Sequence, residues 1–220
     1  MKSSIIIFNI LILVACNSAT DLPESSLYPV KIGEENFEIP SQYLLSGLPS
    51  AMVPTEGLDN DSNGVSIRLS LGDIGLSSKG ELQDKLLKNV VIHIASLDSS
   101  STLNQAALDA WNGKNSYRNG VIEFDKEVGL YRVYTRAGYP AFWQYFRTSP
   151  EDGGNAFTSW VADCYLPPQI DEKHIQRSTC HLRTQYKTTE SIIAISGEIM
   201  TMRDSIIEKY TQQLSSWEMN

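Results

Sequence analysis

Ser178-Thr179-Cys180-His181-Leu182-Arg183-Thr184-Gln185-Tyr186 alternates along its whole length. Cys180, Leu182, Thr184 and Tyr186 fall on one side of an extended chain, and Thr179, His181, Arg183 and Gln185 on the other. That is the period of two expected of a strand with one buried face. Residues 156–166 read as a second strand, with Trp160, Ala162, Cys164 and Leu166 on one face. Both cysteines therefore fall on the more apolar side of their strands, where a bridge between neighbours needs them. Two buried free thiols would satisfy the same alternation, so the compartment has to decide. A bridge closing a loop of this size is worth about 3 kcal/mol in the chain-entropy model. Residues 167–176, opening on Pro167-Pro168, become a long hairpin tip stapled at its base.

The same periodicities extend outward from this pair. In residues 64–71, Val65, Ile67, Leu69 and Leu71 alternate with Ser66, Arg68 and Ser70, the cleanest half-buried strand in the chain. Ser78 and Glu81 have capping-box spacing and open a short helix through Leu82, Leu86 and Leu87. Residues 89–95 form a buried strand. Ser99-Ser100-Ser101-Thr102 offers N-caps to a second helix, whose Leu103, Ala106, Ala107, Ala110 and Trp111 keep helical spacing until Gly113 stops it. Strands at 121–124, 130–136 and 141–147 follow with short turns, which predicts an antiparallel meander. A strand at 191–196 precedes the final element. There Ile199, Met202, Ile206, Tyr210, Leu214 and Trp217 step by 3, 4, 4, 4 and 3, one stripe of a helix docked on a sheet. Near the start, residues 28–39 have β character around a turn at Gly33-Glu34-Glu35-Asn36, and 41–63 reads as an irregular excursion. The expected class is α+β: a mainly antiparallel, twisted β-sheet with two short helices and a C-terminal amphipathic helix packed on it.

The compartment is written at the other end. Lys2 is followed by an almost wholly apolar run from Ile5 to Val14, too short for a spanning helix, which needs roughly 20 residues. It fits the charged and apolar regions of a secretory signal. Leu13-Val14-Ala15-Cys16 resembles the bacterial lipobox, in which the signal is cut before a cysteine that carries acyl chains. The competing reading is an ordinary cleaved signal with an incidental cysteine. Several chains anchor stably because each buried methylene adds about 0.8 kcal/mol. The expected organisation is a signal peptide at 1–15, lipidated Cys16 with a polar tether at 16–27, and a single domain at 28–220. Asn17 follows the cysteine, and by resemblance to enterobacterial sorting rules the absence of Asp there favours the outer membrane. Of three cysteines, lipid on Cys16 leaves Cys164 and Cys180 as a pair. An exported chain meets an oxidising compartment, which decides for the disulfide.

The 220-residue chain carries a formal charge of −8, and removing 1–15 takes away only Lys2, making the mature chain one unit more negative. Nucleic acid demands a basic footprint, so it is excluded as a partner. There is no H-E-x-x-H, no G-x-S-x-G and no G-x-G-x-x-G; in Gly75-Leu76-Ser77-Ser78-Lys79-Gly80, Glu81 stands where a P-loop needs lysine. Of three histidines, His93 lies in an apolar strand, His174 in the hairpin tip, and His181 on a polar strand face beside Arg183. With the other cysteines committed, no metal site and no cofactor are expected. The 26 carboxylates single out no catalytic pair.

Aromatic residues are more informative. Tyr131, Tyr134, Tyr139, Phe142, Trp143, Tyr145 and Phe146 are interleaved with Arg132, Arg136 and Arg147. Alternation sends half of them into a core. The outward remainder, taken as Arg132, Tyr134 and Arg136 with Trp143 or Tyr145, has the composition of an interface hot spot. The loops at 48–63 and 148–155 are further candidates for contact, since recognition often sits on loops held by a rigid sheet.

Val30-x-Ile32-Gly33-x-x-x-Phe37-x-Ile39-Pro40-Ser41-x-Tyr43-Leu44 resembles the F-x-I-P-x-N-Y-L opening of a family of small exported proteobacterial proteins, with Gln42 where the family often has Asn. Leu130-Tyr131-Arg132-Val133-Tyr134, Cys164, Cys180-His181, residues 191–196 and the last helix follow in similar order. The resemblance implies immunity proteins that neutralise type VI secretion effectors acting in the periplasm, phospholipases among them. The expected function is thus a lipid-anchored, periplasm-facing inhibitor that binds a toxin and performs no catalysis. A non-enzymatic envelope accessory lipoprotein is the alternative, and a hydrolase with an unrecognised site a third class.

Overall fold

A computed structural model describes residues 27–45, 64–76, 89–97, 103–114, 117, 120–135, 141–167, 170 and 172–219. The helix expected to open at Ser78, the caps at 99–102 and most of the excursion at 41–63 lie outside them. The strands are β1 (Leu27–Ile32), β2 (Glu35–Pro40), β3 (Val65–Ser70), β4 (Asn89–Ser96), β5 (Ile122–Asp125), β6 (Leu130–Tyr134), β7 (Phe142–Phe146), β8 (Trp160–Tyr165), β9 (Thr179–Tyr186) and β10 (Thr189–Ser196). The helices are α1 (Leu103–Trp111), α2 (Ala156–Ser159) and α3 (Arg203–Trp217).

Eight strands form one antiparallel sheet in the order β3-β4-β10-β9-β8-β7-β6-β5, and β1 and β2 form a separate hairpin. Cys164 and Cys180 are direct partners in the β8–β9 register and are joined by a disulfide. Their Cα atoms lie 4.1 Å apart, matching the closer of the two alternating pair types of an antiparallel ladder. The face that carries them is the inner face. Ile67, Leu69, Ile92, Ile94, Leu182 and Ile193 extend it across five strands, all fully buried.

Two elements cover that face. The helical stripe read from the sequence packs on it, with Ile206, Tyr210, Leu214 and Trp217 buried. Each aliphatic side chain so buried contributes roughly 1.5–3 kcal/mol. The phenol of Tyr210 would be costly to bury alone, but it bonds Ser191 Oγ at 2.6 Å. The β1–β2 hairpin adds Ile32, Phe37 and Ile39 beside the helix. Backbone bonds join the two covers: Phe37 pairs with Glu218, and Met219 N–H donates to Asn36 O at 2.9 Å. Lys187 in the β9–β10 turn reaches Glu218 and Glu35, and Tyr186 Oη donates to Glu218 at 2.8 Å. These partly exposed charges orient the corner; the apolar burial holds it.

On the outer face, α1 packs Ala107 and Ala110 against Val133 and Phe146, and Gly113 follows at φ 60, the left-handed position that ends a helix.

The strand expected at 156–166 needs correction. Ala156–Ser159 form one helical turn, capped by Asn155 Oδ1 on Phe157 N–H at 2.8 Å. The strand begins at Trp160, where a bulge pairs Phe146 with Trp160 but Tyr145 with Ala162. Val161 is the extra residue, and one extra residue reverses the alternation. Trp160 therefore joins the outer-face cluster instead of sharing a face with Cys164. The hairpin tip also holds short helical turns at Glu172–Arg177.

Because the disulfide pins neighbouring strands at the middle of the sheet, replacing both cysteines (Cys164→Ala with Cys180→Ala) should lower unfolding free energy by about 3 kcal/mol. Urea unfolding of the oxidised parent and the variant measures this; equal midpoints would contradict it.

Candidate functional site

Arg132 and Tyr134 sit on β6 opposite Tyr145 and Trp143 of β7. The four share one face, as alternation requires, but it is the inner face. Tyr134, Trp143 and Tyr145 are only 6%, 1% and 3% exposed. The expectation that they point outward is corrected: they belong to the inner core cluster, and α1 packs on the opposite face over Val133 and Phe146. Arg136 and Cys16 lie outside the described residues.

Arg132 organises this cluster. Its Nε donates to Tyr145 Oη at 2.8 Å, one terminal nitrogen to Tyr134 Oη at 3.4 Å, and the other pairs with Asp125. Tyr145 Oη donates to the same Asp125 oxygen at 2.8 Å. The guanidinium also lies 6.0 Å from the Trp143 ring centre, within cation–π range. Asp125 is a functional-looking residue that sequence reading missed. Its one signal was an Asp opening the turn that ends at Gly129, and its Oδ1 does accept from Glu127 and Val128 N–H. Burial alone would raise the Asp125 carboxyl. Tyr145, the Val128 amide and Arg132 outweigh that and hold it below its usual value. Burial pushes both phenols up. These groups bond one another, so the cluster is a brace between β5, β6 and β7.

The outer face carries a polar stripe on its central strands. Gln144, Asp163 and His181 stand opposite one another on β7, β8 and β9. His181 Nδ1 lies 2.9 Å from Asp163 Oδ2, an arrangement also seen where a carboxylate orients a general base. Among the described residues, no serine, threonine or cysteine side chain bonds His181 to complete such a site. Arg183 and Glu190 pair at 3.7 Å. His93 bonds Ser66 Oγ at 3.0 Å, and burial lowers its pKa, favouring the neutral ring. The stripe is half-buried, and within it His93 Nε2 and Arg183 Nε are buried without a hydrogen-bond partner among the described residues.

Below it runs an aromatic row. Phe124, Tyr131, Phe146 and Trp160 are successive partners across β5, β6, β7 and β8. Phe124 and Tyr131 rings lie 5.0 Å apart, and Trp111 of α1 sits 5.1 Å from Phe146. Phe146 is buried, but Phe124 at the sheet edge is 52% exposed. The β7–β8 connection continues the row. Its ends are tied by Arg147 N–H on Ser159 O at 2.7 Å and by Thr148 Oγ1 with Ser159 Oγ at 2.7 Å. Ser149 caps its first turn and Asn155 caps α2. So fixed, it presents Glu151, Asp152 and Phe157, the last 53% exposed. Residues 148–155 were expected as a contact loop; Phe157, just beyond, was not singled out.

The fold has a solved counterpart. The chain aligns with Smlt3025, an immunity protein of the Stenotrophomonas maltophilia type IV secretion system, at a TM-score of 0.51 and 13% identity. The match covers 89% of this chain and 94% of that one. At this identity it establishes a shared fold. No protein-family model and no curated protein matches the chain.

The Arg132 brace makes a pH-dependent prediction. A carboxyl whose folded pKa is depressed stabilises fully above its unfolded pKa, and that stability is lost as pH falls through the folded value. Asp125→Asn should be less stable than the parent near neutrality, and the gap should narrow below about pH 4. Urea unfolding across that range tests it; a constant gap would contradict it.

Proposed function

We propose that this chain is an immunity protein: it binds a toxic secreted effector and keeps it inactive, without itself doing chemistry. The observation that carries the proposal is the whole-chain fold likeness to a secretion-system immunity protein. It converges with the independent resemblance of the Val30–Leu44 motif and the later landmarks to immunity proteins. The counterpart serves a type IV system, whereas the sequence resemblance points to type VI. The proposal therefore rests on effector neutralisation, with type VI effectors acting on envelope phospholipids as one candidate group.

In this reading the protein is anchored by lipid on Cys16 and faces the periplasm. The apolar run before Leu13-Val14-Ala15-Cys16 supports this, and the Cys164–Cys180 disulfide suits an oxidising compartment. Anchoring would station the inhibitor where an incoming effector arrives. An acidic chain of net charge −8 would also speed its association with a basic effector.

Deleting the gene should leave cells open to killing by parental neighbours, and supplying it in trans should restore survival in co-culture. Deletion that leaves survival unchanged but makes the envelope leaky would favour the accessory-lipoprotein reading. Separately, Cys16→Ser should move the protein from the membrane fraction to the soluble or uncleaved pool. A variant cleaved to the parent's size that still partitions into the detergent phase would contradict the anchor.

A further inference from the structure

We propose that the effector docks on the aromatic row and the β7–β8 connection, with Phe124 and Phe157 as its two apolar anchors. This rests on the immunity reading above and adds to it a surface and a partner chemistry. The partner would offer apolar hollows for the two rings, edged by lysine or arginine side chains.

Exposure is the first reason. Phe124 lies on β5, which ends the sheet, and more than half of the residue meets solvent. β5 is short and carries Glu123 and Asp125, as edges usually do, so exposed Phe124 is its apolar exception. Phe157 is exposed to the same degree in a chain whose other aromatics mostly pack inward. Position is the second. Phe124 and Trp160 belong to one cross-strand row, three strand spacings or about 14 Å apart. Phe157 stands three residues before Trp160, on a turn packed against α1. Both anchors thus fall within one standard interface footprint of roughly 800 Å² per partner.

Rigidity is the third reason. Phe157 rides on a connection fixed by paired hydroxyls and two caps, and Phe124 is braced by Tyr131. Ordering loops and side chains is a main cost of association, so anchors already held in place bind with less loss. Charge is the fourth. Glu127, Glu151 and Asp152 are exposed at this end of the sheet, with Lys126 and Arg147 among them, the latter paired with exposed Asp204. The whole chain is acidic as well. A net acidic surround of aromatic anchors selects a basic, apolar-pocketed surface over a neutral one. The polar stripe is a poorer platform: its charged pairs are half-buried, and a partner would have to desolvate them further.

The test uses the full-length chain in the deletion strain, challenged by parental cells, with survival as the readout. Phe124→Arg with Phe157→Arg should reduce survival to that of the uncomplemented strain. Glu151→Lys with Asp152→Lys should reduce it partly. Tyr28→Arg, at an equally exposed aromatic on the β1–β2 hairpin that packs on the inner face, should protect like the parent. Membrane-fraction abundance and melting temperature, equal across variants, separate lost docking from lost folding. Full protection by the double arginine variant at equal abundance would overturn the surface while leaving the immunity reading intact. Insensitivity of the deletion strain itself would overturn both. A parent that is dimeric by light scattering, and a fully protective arginine variant that is monomeric, would reassign the surface to contact between copies.

Discussion

The register between β8 and β9 is the constraint on which the rest of this structure depends. Cys164 and Cys180 are direct partners in the middle of an eight-stranded sheet. A slip of one residue there would exchange the faces of every side chain on the slipped strand. The disulfide removes that freedom, and β10, β4 and β3 on one side and β7 on the other take their faces from it. The result is an inner face continuous enough to seat α3 through Ile206, Tyr210 and Leu214. The β1–β2 hairpin then closes over the same face, and Phe37, Asn36 and Glu218 lock the two covers together. A cross-link between neighbours thus holds in place contacts that span most of the described chain.

From the edge of that platform inward, polar groups serve as braces. Arg132 and Asp125 tie the last three strands, and Tyr145 completes their contact. Breaking one partner of such a pair leaves the other buried and uncompensated, which costs about 3–5 kcal/mol. An inhibitor has no use for a flexible reacting centre, and its affinity gains from surfaces that are rigid before the partner arrives. Stiff sheet, braced meander and capped connection fit that requirement, and they converge on the end of the sheet where Phe124 and Phe157 are exposed.

Elements with a strong period were legible in the sequence. The alternation of Val65–Leu71 and of Cys180–Tyr186 gave true strands, and the stripe gave the docked helix from Arg203 to Trp217, its first members, Ile199 and Met202, lying in the 3-10 turn Gly197–Met202 before it. Departures from period were not. Nothing in residues 156–160 marks the bulge, because it arises from how Val161 meets β7, so Trp160 was assigned to the wrong face. The aromatic set at Arg132, Tyr134, Trp143 and Tyr145 was placed on one face correctly and on the wrong side of it, since the position of α1 is not encoded locally. Asp125 gained its role only through Arg132 and Tyr145, which are distant in sequence. Function was legible only through the resemblance of Val30–Leu44 and the later landmarks to immunity proteins, since no catalytic motif offered a chemical reading; the likeness to Smlt3025 adds the shared fold.

The immunity reading meets its most direct test in a titration of purified effector, the one whose killing the gene prevents, with the mature domain. Effector activity is followed as the domain is added. Activity that falls linearly and reaches zero at equimolar domain is the expected result, with no product formed from the domain's own action. Undiminished activity in the presence of excess domain would contradict stoichiometric neutralisation.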